Sequence, residues 1–293
     1  MALRYPVKLG QIMSKSHRIL AWTSTLAAAV ALSPPLIIAR DKPSLPRPED
    51  VVHKVVERAK AWKEKDENEE KQLSYSERMV TVKLQADGAP KDREEKVYQV
   101  TPVKGEPTPT LVLKNGKPPS ASDLKEEEAR LRKEREASQK RKDSDPDNTI
   151  ELNEDLVGRY DFEMVGEEVV EGRPAFVLTF KPKSKNLPVR RKLDYALNRI
   201  DGKVWVDQED YEIAKADMRL TESAQLWWGL LASLREFTLS FEQTKLPEGC
   251  WFVKHFDMRV DVRFLLARIH QKQEDWLSDF KESSSLESEA RSQ

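Results

Sequence analysis

The chain has 293 residues, a formal net charge of −1, and 34% charged against 38% apolar side chains. Near-neutral charge excludes a dedicated nucleic-acid binder, which concentrates excess Lys and Arg. The single cysteine, Cys250, excludes an internal disulfide framework and a multi-cysteine zinc site, and four histidines leave little for metal or histidine chemistry, so no metal or cofactor is expected.

Ile19 to Ile38 is a long uncharged run preceded by Lys15, His17 and Arg18. A basic head before an apolar run is the pattern of a secretory signal peptide, here residues 1–39 with the cut after Ala39. A cut near Ala31, a start at Met13 and retention as an anchor are the alternatives; Pro34, Pro35 and the hydroxyl residues weaken the anchor. Export implies a periplasmic protein, in which Cys250 is expected to be buried and inert. Residues 40–48, with Pro43, Pro46 and Pro48, read as a linker.

A single domain is expected over residues 49–273. Val51, Val52, Val55, Val56, Ala59 and Trp62 recur at three- and four-residue steps, which predicts an amphipathic helix over 49–65. From Gln72 the period becomes two, with Val80, Val82 and Leu84 on a buried face. Further strands are expected at 93–103 and 110–114, the latter closed by the Asn115-Gly116 turn. Residues 120–142 are almost wholly charged and predict a polar helix with Ser122 as its cap, supported by pairs such as Glu127 with Arg130.

Strands follow around Phe162 and Met164, then Phe176, Leu178 and Phe180, and a short helix is expected over 190–198. Next come strands at 203–208, 211–222, 235–246 and 251–264, with carboxylates of the Asp207–Asp210 turn in solvent. Between them, 226–231 (LWWGLL) is a short apolar segment. Residues 274–293 read as a loose polar tail. The sum is a mainly β fold with helices: nine to eleven antiparallel strands, each with one wet and one dry face, in a sheet that must curl or be covered.

The stretch Tyr160 to Leu220 contains Gly166-Glu167, the hairpin residues Gly172, Arg173, Ala175 and Phe176, the strand end Lys181-Pro182-Lys183, and the Trp205-Val206-Asp207 strand. In these motifs it resembles the outer-membrane lipoprotein-sorting protein family. The resemblance implies a curved antiparallel half-barrel with helices over its concave face and a cavity for lipid or lipoprotein acyl chains. The aromatic, Leu and Met positions Phe162, Met164, Phe176, Leu178, Phe180, Phe237, Leu239, Phe241, Phe252, Phe256 and Met258 are the expected lining; the alternative is an ordinary packed core.

No phosphate loop or nucleophile elbow is present. His255 and Asp257 lie two apart on a strand, with no nucleophile or third ligand near them in sequence, so no catalysis is expected. The expectation is a periplasmic carrier or chaperone for a hydrophobic ligand. The competing one is an envelope sensor that docks a membrane or regulatory protein through its charged helix.

Overall fold

The computed structural model describes residues 45–65, 73–103, 106–144, 150–191, 193–225, 232–247, 249–264 and 267–282. The expected signal segment, the apolar segment 226–231 and the last eleven residues lie outside them.

Helix α1 (Pro48–Lys65) opens with Pro48, Glu49 and Asp50, where a preset φ and negative charge suit the exposed N–H groups. Strands β1 (Leu73–Leu84), β2 (Pro90–Val103) and β3 (Glu106–Lys114) form a meander, followed by α2 (Ala121–Ser144) and the single turn α3 (Glu154–Val157). Then come β4 (Tyr160–Val170), β5 (Arg173–Pro182), the single turn α4 (Asp194–Leu197), β6 (Ile200–Asp207), β7 (Ile213–Leu220), the two-residue β8 (Ala224–Gln225), β9 (Ala232–Lys245), β10 (Trp251–Phe264) and β11 (Arg268–Glu282). They build one 11-stranded antiparallel sheet in the order β3-β2-β1-β11-β10-β9-β7-β6-β5-β4, with β8 beside β9.

The expected mainly β architecture is therefore present, and the Asn115-Gly116 turn has the left-handed backbone that its sequence demands (φ 51° and 76°). The helical cap on α2 differs from expectation. Ser120, not Ser122, closes the helix: its Oγ accepts from the Asp123 N–H at 3.2 Å, and the Asp123 carboxylate accepts from the Ser120 N–H at 3.0 Å.

The largest correction concerns the polar tail expected from residue 274. Through Glu282 it is the second half of β11, which pairs β10 on one side and β1 on the other. The strand that joins the two halves of the sheet is thus the least apolar one. It lacks a hydrophobic pattern although Phe256, Met258, Met79 and Val80 stand beside it, and ladder hydrogen bonds to two strands hold it.

β1 departs from the single buried face expected of it. Met79 packs with Tyr98, Val100 and Leu111, while Val80 is buried on the other side, and Val82 and Leu84 are only half-buried. The helix expected over 190–198 shrinks to Asp194–Leu197 because Asp194, fully buried, ties down its approach. Its Oδ2 accepts from the N–H groups of Arg190 (2.9 Å) and Arg191 (3.1 Å) and from the Arg159 guanidinium (2.8 Å).

Gly202 illustrates how closely the strands pack. A Cβ there would stand 2.2 Å from the Asp217 carbonyl and 2.9 Å from the Phe180 ring, which lies across the glycine.

Candidate functional site

Strand register decides which of the expected lining residues share a face, since directly opposite residues of an antiparallel pair point the same way. Phe162 stands opposite Phe180, and Met164 opposite Leu178. Phe180, Leu178 and Phe176 face Gly202, Val204 and Val206. Gly202 and Val204 face Met218 and Ala216, which in turn face Leu239 and Phe241. Leu239, Phe241 and Phe237 then face Met258, Phe256 and Val260. The structure thus brings ten of the eleven residues into one apolar stripe across β4, β5, β6, β7, β9 and β10. It stops at β11, where Gln273 and Asp275 stand opposite Met258 and Phe256.

Phe252 is the exception. A register shift between Val253 and His255 separates it from the stripe. Its ring lies 5.4 Å from Tyr75 and 4.9 Å from Phe280, in an aromatic group at the other end of the strand.

Along the stripe, burial is uneven. Leu178, Phe180, Leu239 and Phe241 are buried, whereas Phe162, Met164, Phe176, Phe237, Phe256 and Met258 are half-buried. Two helical pieces lie on it. Val51 and Val55 of α1 pack on Leu178 and Val206, with Phe162, Met164 and Phe176 at the margin. Ala196 of α4 packs with Leu234 and Val262, and Phe237 and Val260 flank them. α1 is also held electrostatically at the β6–β7 hairpin. Lys54 Nζ donates to the Tyr211 hydroxyl at 3.0 Å and stands 4.4 Å from its ring centroid, and Arg58 lies 3.4 Å from the buried Glu212.

The Asp207–Asp210 turn, expected in solvent, is instead the most organised polar cluster of this half. Arg173 grips Asp207 with two bonds, Nε to Oδ2 at 2.7 Å and Nη2 to Oδ1 at 2.9 Å, and Asp207 is 1% exposed. Asp207 also accepts from the N–H groups of Glu209 and Asp210. Asp210 accepts from Trp251 Nε1 at 2.8 Å and pairs with Lys245 at 2.7 Å. Burial pushes the Asp210 carboxyl up, but Lys245 and Trp251 outweigh it and hold it below the usual range. The Gly-Arg hairpin and the Trp-Val-Asp strand are therefore two halves of one ion pair. This is structural: the cluster locks a hairpin end.

α2 is fastened in a similar way, through a carboxylate rather than an apolar face. Glu127 is 5% exposed; it accepts from Lys96 Nζ and the Tyr98 hydroxyl, both at 2.8 Å, and from Arg130. Burial pushes its carboxyl up, yet these three donors prevail and bring it down to about 2. Leu124, one of the few apolar residues of this helix, is exposed.

Two hollows are open on the face opposite the stripe. The larger, about 860 Å³, is lined by residues 161–163, 179–181, 201–203, 217–219 and 238–240 and by Asp257. Eight of these are charged, including Asp161, Glu163, Lys203 and Asp217, so it is the wrong chemistry for an acyl chain. The smaller, about 400 Å³, has Val80, Val82 and Leu84 as an apolar floor with Arg78, Arg93, Arg259 and Lys272 around it. Each of these cations is already paired: Arg78 and Arg93 with Glu95, Arg259 with Glu236, and Lys272 with Asp257.

His255 and Asp257 do not meet as an acid–base pair. The His255 ring stacks on Trp276 at 5.3 Å, and Asp257 lies 3.2 Å from Lys272. Among the described residues no group of His, Cys, Asp and Glu could hold a metal ion. Cys250, expected to be buried, is half-buried.

No protein-family model matches the chain, and no characterised protein matches it in sequence. Its fold is similar to several solved structures at low identity. A putative outer membrane lipoprotein-sorting protein domain from Vibrio parahaemolyticus aligns at TM-score 0.34 and 13% identity over 81% of this chain and 94% of that one. MucB, in the MucA/MucB complex of Pseudomonas aeruginosa, aligns at TM-score 0.24 and 11% identity over 78% and 94%. The lipoprotein LppX of Mycobacterium tuberculosis aligns at TM-score 0.26 and 9% identity over 79% and 95%. At superpositions this loose, no activity of these proteins transfers to this chain.

Proposed function

We propose that the protein is a periplasmic carrier or chaperone that holds a lipid or acyl chain against the apolar stripe and performs no chemistry on it. The observation that supports this reading is the continuity of the stripe over six strands, together with the half-burial of Phe162, Met164, Phe176, Phe237, Phe256 and Met258. A sheet face whose only purpose is a core buries such side chains. Each methylene of a guest removed from water contributes about 0.8 kcal/mol, so a short contact with several of these residues suffices for retention. α1 covers the β4–β6 end of the stripe, and the polar pair Gln273 and Asp275 bounds it at β11.

The periplasmic location is supported by the basic head and apolar run of residues 1–39. No helix among the described residues is long and apolar enough to cross a membrane.

The test is uptake of a fluorescent fatty acid. Wild-type protein is expected to take it up in a saturable way, with Phe256→Asp and Met258→Asp each weakening it at least about tenfold, one tenfold step being 1.4 kcal/mol. Lys215→Ala, a change off the stripe, serves as the control and leaves uptake unchanged. No uptake by the wild type, or uptake indifferent to both stripe variants, overturns the reading.

A further inference from the structure

An open sheet has two edges, and here they are built differently. One edge is β3, whose sequence EPTPTLVLK places Pro107 and Pro109 inside the strand. Each proline removes a backbone donor, which blunts an edge against further pairing. The other edge is β4, YDFEMVGEEVV, with 11 residues and no proline. Among the described residues, β4 is paired only with β5.

The two faces of β4 differ in chemistry. Phe162, Met164 and Val169 point to the stripe side, and Val169 is 72% exposed. Asp161, Glu163 and Glu168 point to the opposite side, next to the charged hollow. Glu168 is engaged by Lys203 (3.0 Å) and Trp205 Nε1 (2.7 Å), while Asp161 and Glu163 are exposed. The bulge at Val165, with Gly166 at φ 149°, ends this division: beyond it Glu167 stands opposite Phe176 on the stripe side, and the buried Val170 stands opposite Arg173 on the other. The strand carries four carboxylates (Asp161, Glu163, Glu167, Glu168) and no cation.

We propose that the outer edge of β4 receives an extended segment of a partner protein as an additional strand, in which Lys or Arg alternates with apolar residues. Main-chain bonds to the free edge provide affinity, and the alternation provides selectivity. The apolar side chains continue the stripe beyond Phe162 and Met164, and the cations lie over Asp161 and Glu163. A second copy of this chain pairing through β4 would set carboxylate beside carboxylate, which is unfavourable.

The experiment uses the whole protein and two fluorescein-labelled probe peptides of about eight residues, one alternating lysine with valine and one alternating glutamate with valine. Such a length matches a typical strand. Fluorescence anisotropy is expected to show binding of the lysine peptide only. The double change Asp161→Lys with Glu163→Lys, on exposed side chains, is expected to weaken it by roughly tenfold or more. Hydrogen exchange is expected to slow in β4 and not in β3 when the peptide is bound. Equal binding of both peptides, no binding, protection outside β4, or a dimer of the protein alone that protects β4 would each overturn the proposal.

Discussion

Glu127 decides where α2 goes, and it does so by ionisation. Its carboxylate is nearly inaccessible between Lys96, Tyr98 and Arg130, and its pKa is brought down to about 2, below the ordinary 4.5 of an unfolded chain. A depressed carboxylate stabilises the folded state above its unfolded pKa, and the contribution disappears as pH falls from about 4.5 to about 2. Glu127→Gln is therefore expected to cost up to about 3 kcal/mol at neutral pH, because it leaves the buried Lys96 with only the more exposed Glu94, at 3.3 Å, as a counter-charge. The same substitution is expected to cost much less near pH 3, where the wild-type contribution is already fading. Urea unfolding of both proteins at the two pH values measures this; a pH-independent difference would mean that Glu127 acts through packing alone. The 120–142 sequence shows Glu127 beside Arg130 but not Lys96 or Tyr98, since those partners come from β2. The same blindness hides the Arg173–Asp207 pair: each residue reads as part of a turn, and only the fold sets them 34 positions apart in sequence and within 2.7 Å in space.

At the scale of elements, local alternation and helical spacing were enough for α1, β4, β5, β9 and β10, where one face is apolar and the other polar. The same rule brings ten of the eleven candidate residues onto one face and fails at Phe252, because a bulge reverses sidedness without leaving a mark in the apolar pattern. It fails again at β11. Gln271, Lys272, Gln273, Glu274 and Asp275 give no dry face, so their strand is legible only from the two partners that flank it. Removal of residues 274–293 would delete the pairing of Leu73–Val80 and of His255–Asp257 with this strand. The expected result is loss of cooperative unfolding, followed by circular dichroism in urea. A truncated protein with an unchanged midpoint would show that the sheet does not depend on β11.

The molecule as a whole has several small apolar clusters in place of one core. Met79, Tyr98, Val100 and Leu111 form one in the β1–β3 meander, below the α2 anchor at Tyr98. Val51, Val55, Leu178 and Val206 form another, and Tyr160, Phe180 and Ile200 a third, both at the other end of the sheet. No residue belongs to both ends, and between them stands β11, with Gln273 and Asp275 on the stripe face; side chains meet across it in the Tyr75–Phe252–Phe280 group and at Trp276, packed by His255 and Arg78. These few contacts and the backbone pairing of a polar strand transmit stability less well than a shared core does, so the two ends are expected to open as separate units. Leu111→Ala removes a 5% exposed side chain at a cost of about 2 to 5 kcal/mol. Hydrogen exchange in this variant is expected to accelerate in β1–β3 and to stay at wild-type rates in β5–β7. Acceleration spread evenly over all strands would show instead that β11 welds the sheet into a single cooperative unit, and the stripe would then be as rigid as the meander that α2 covers.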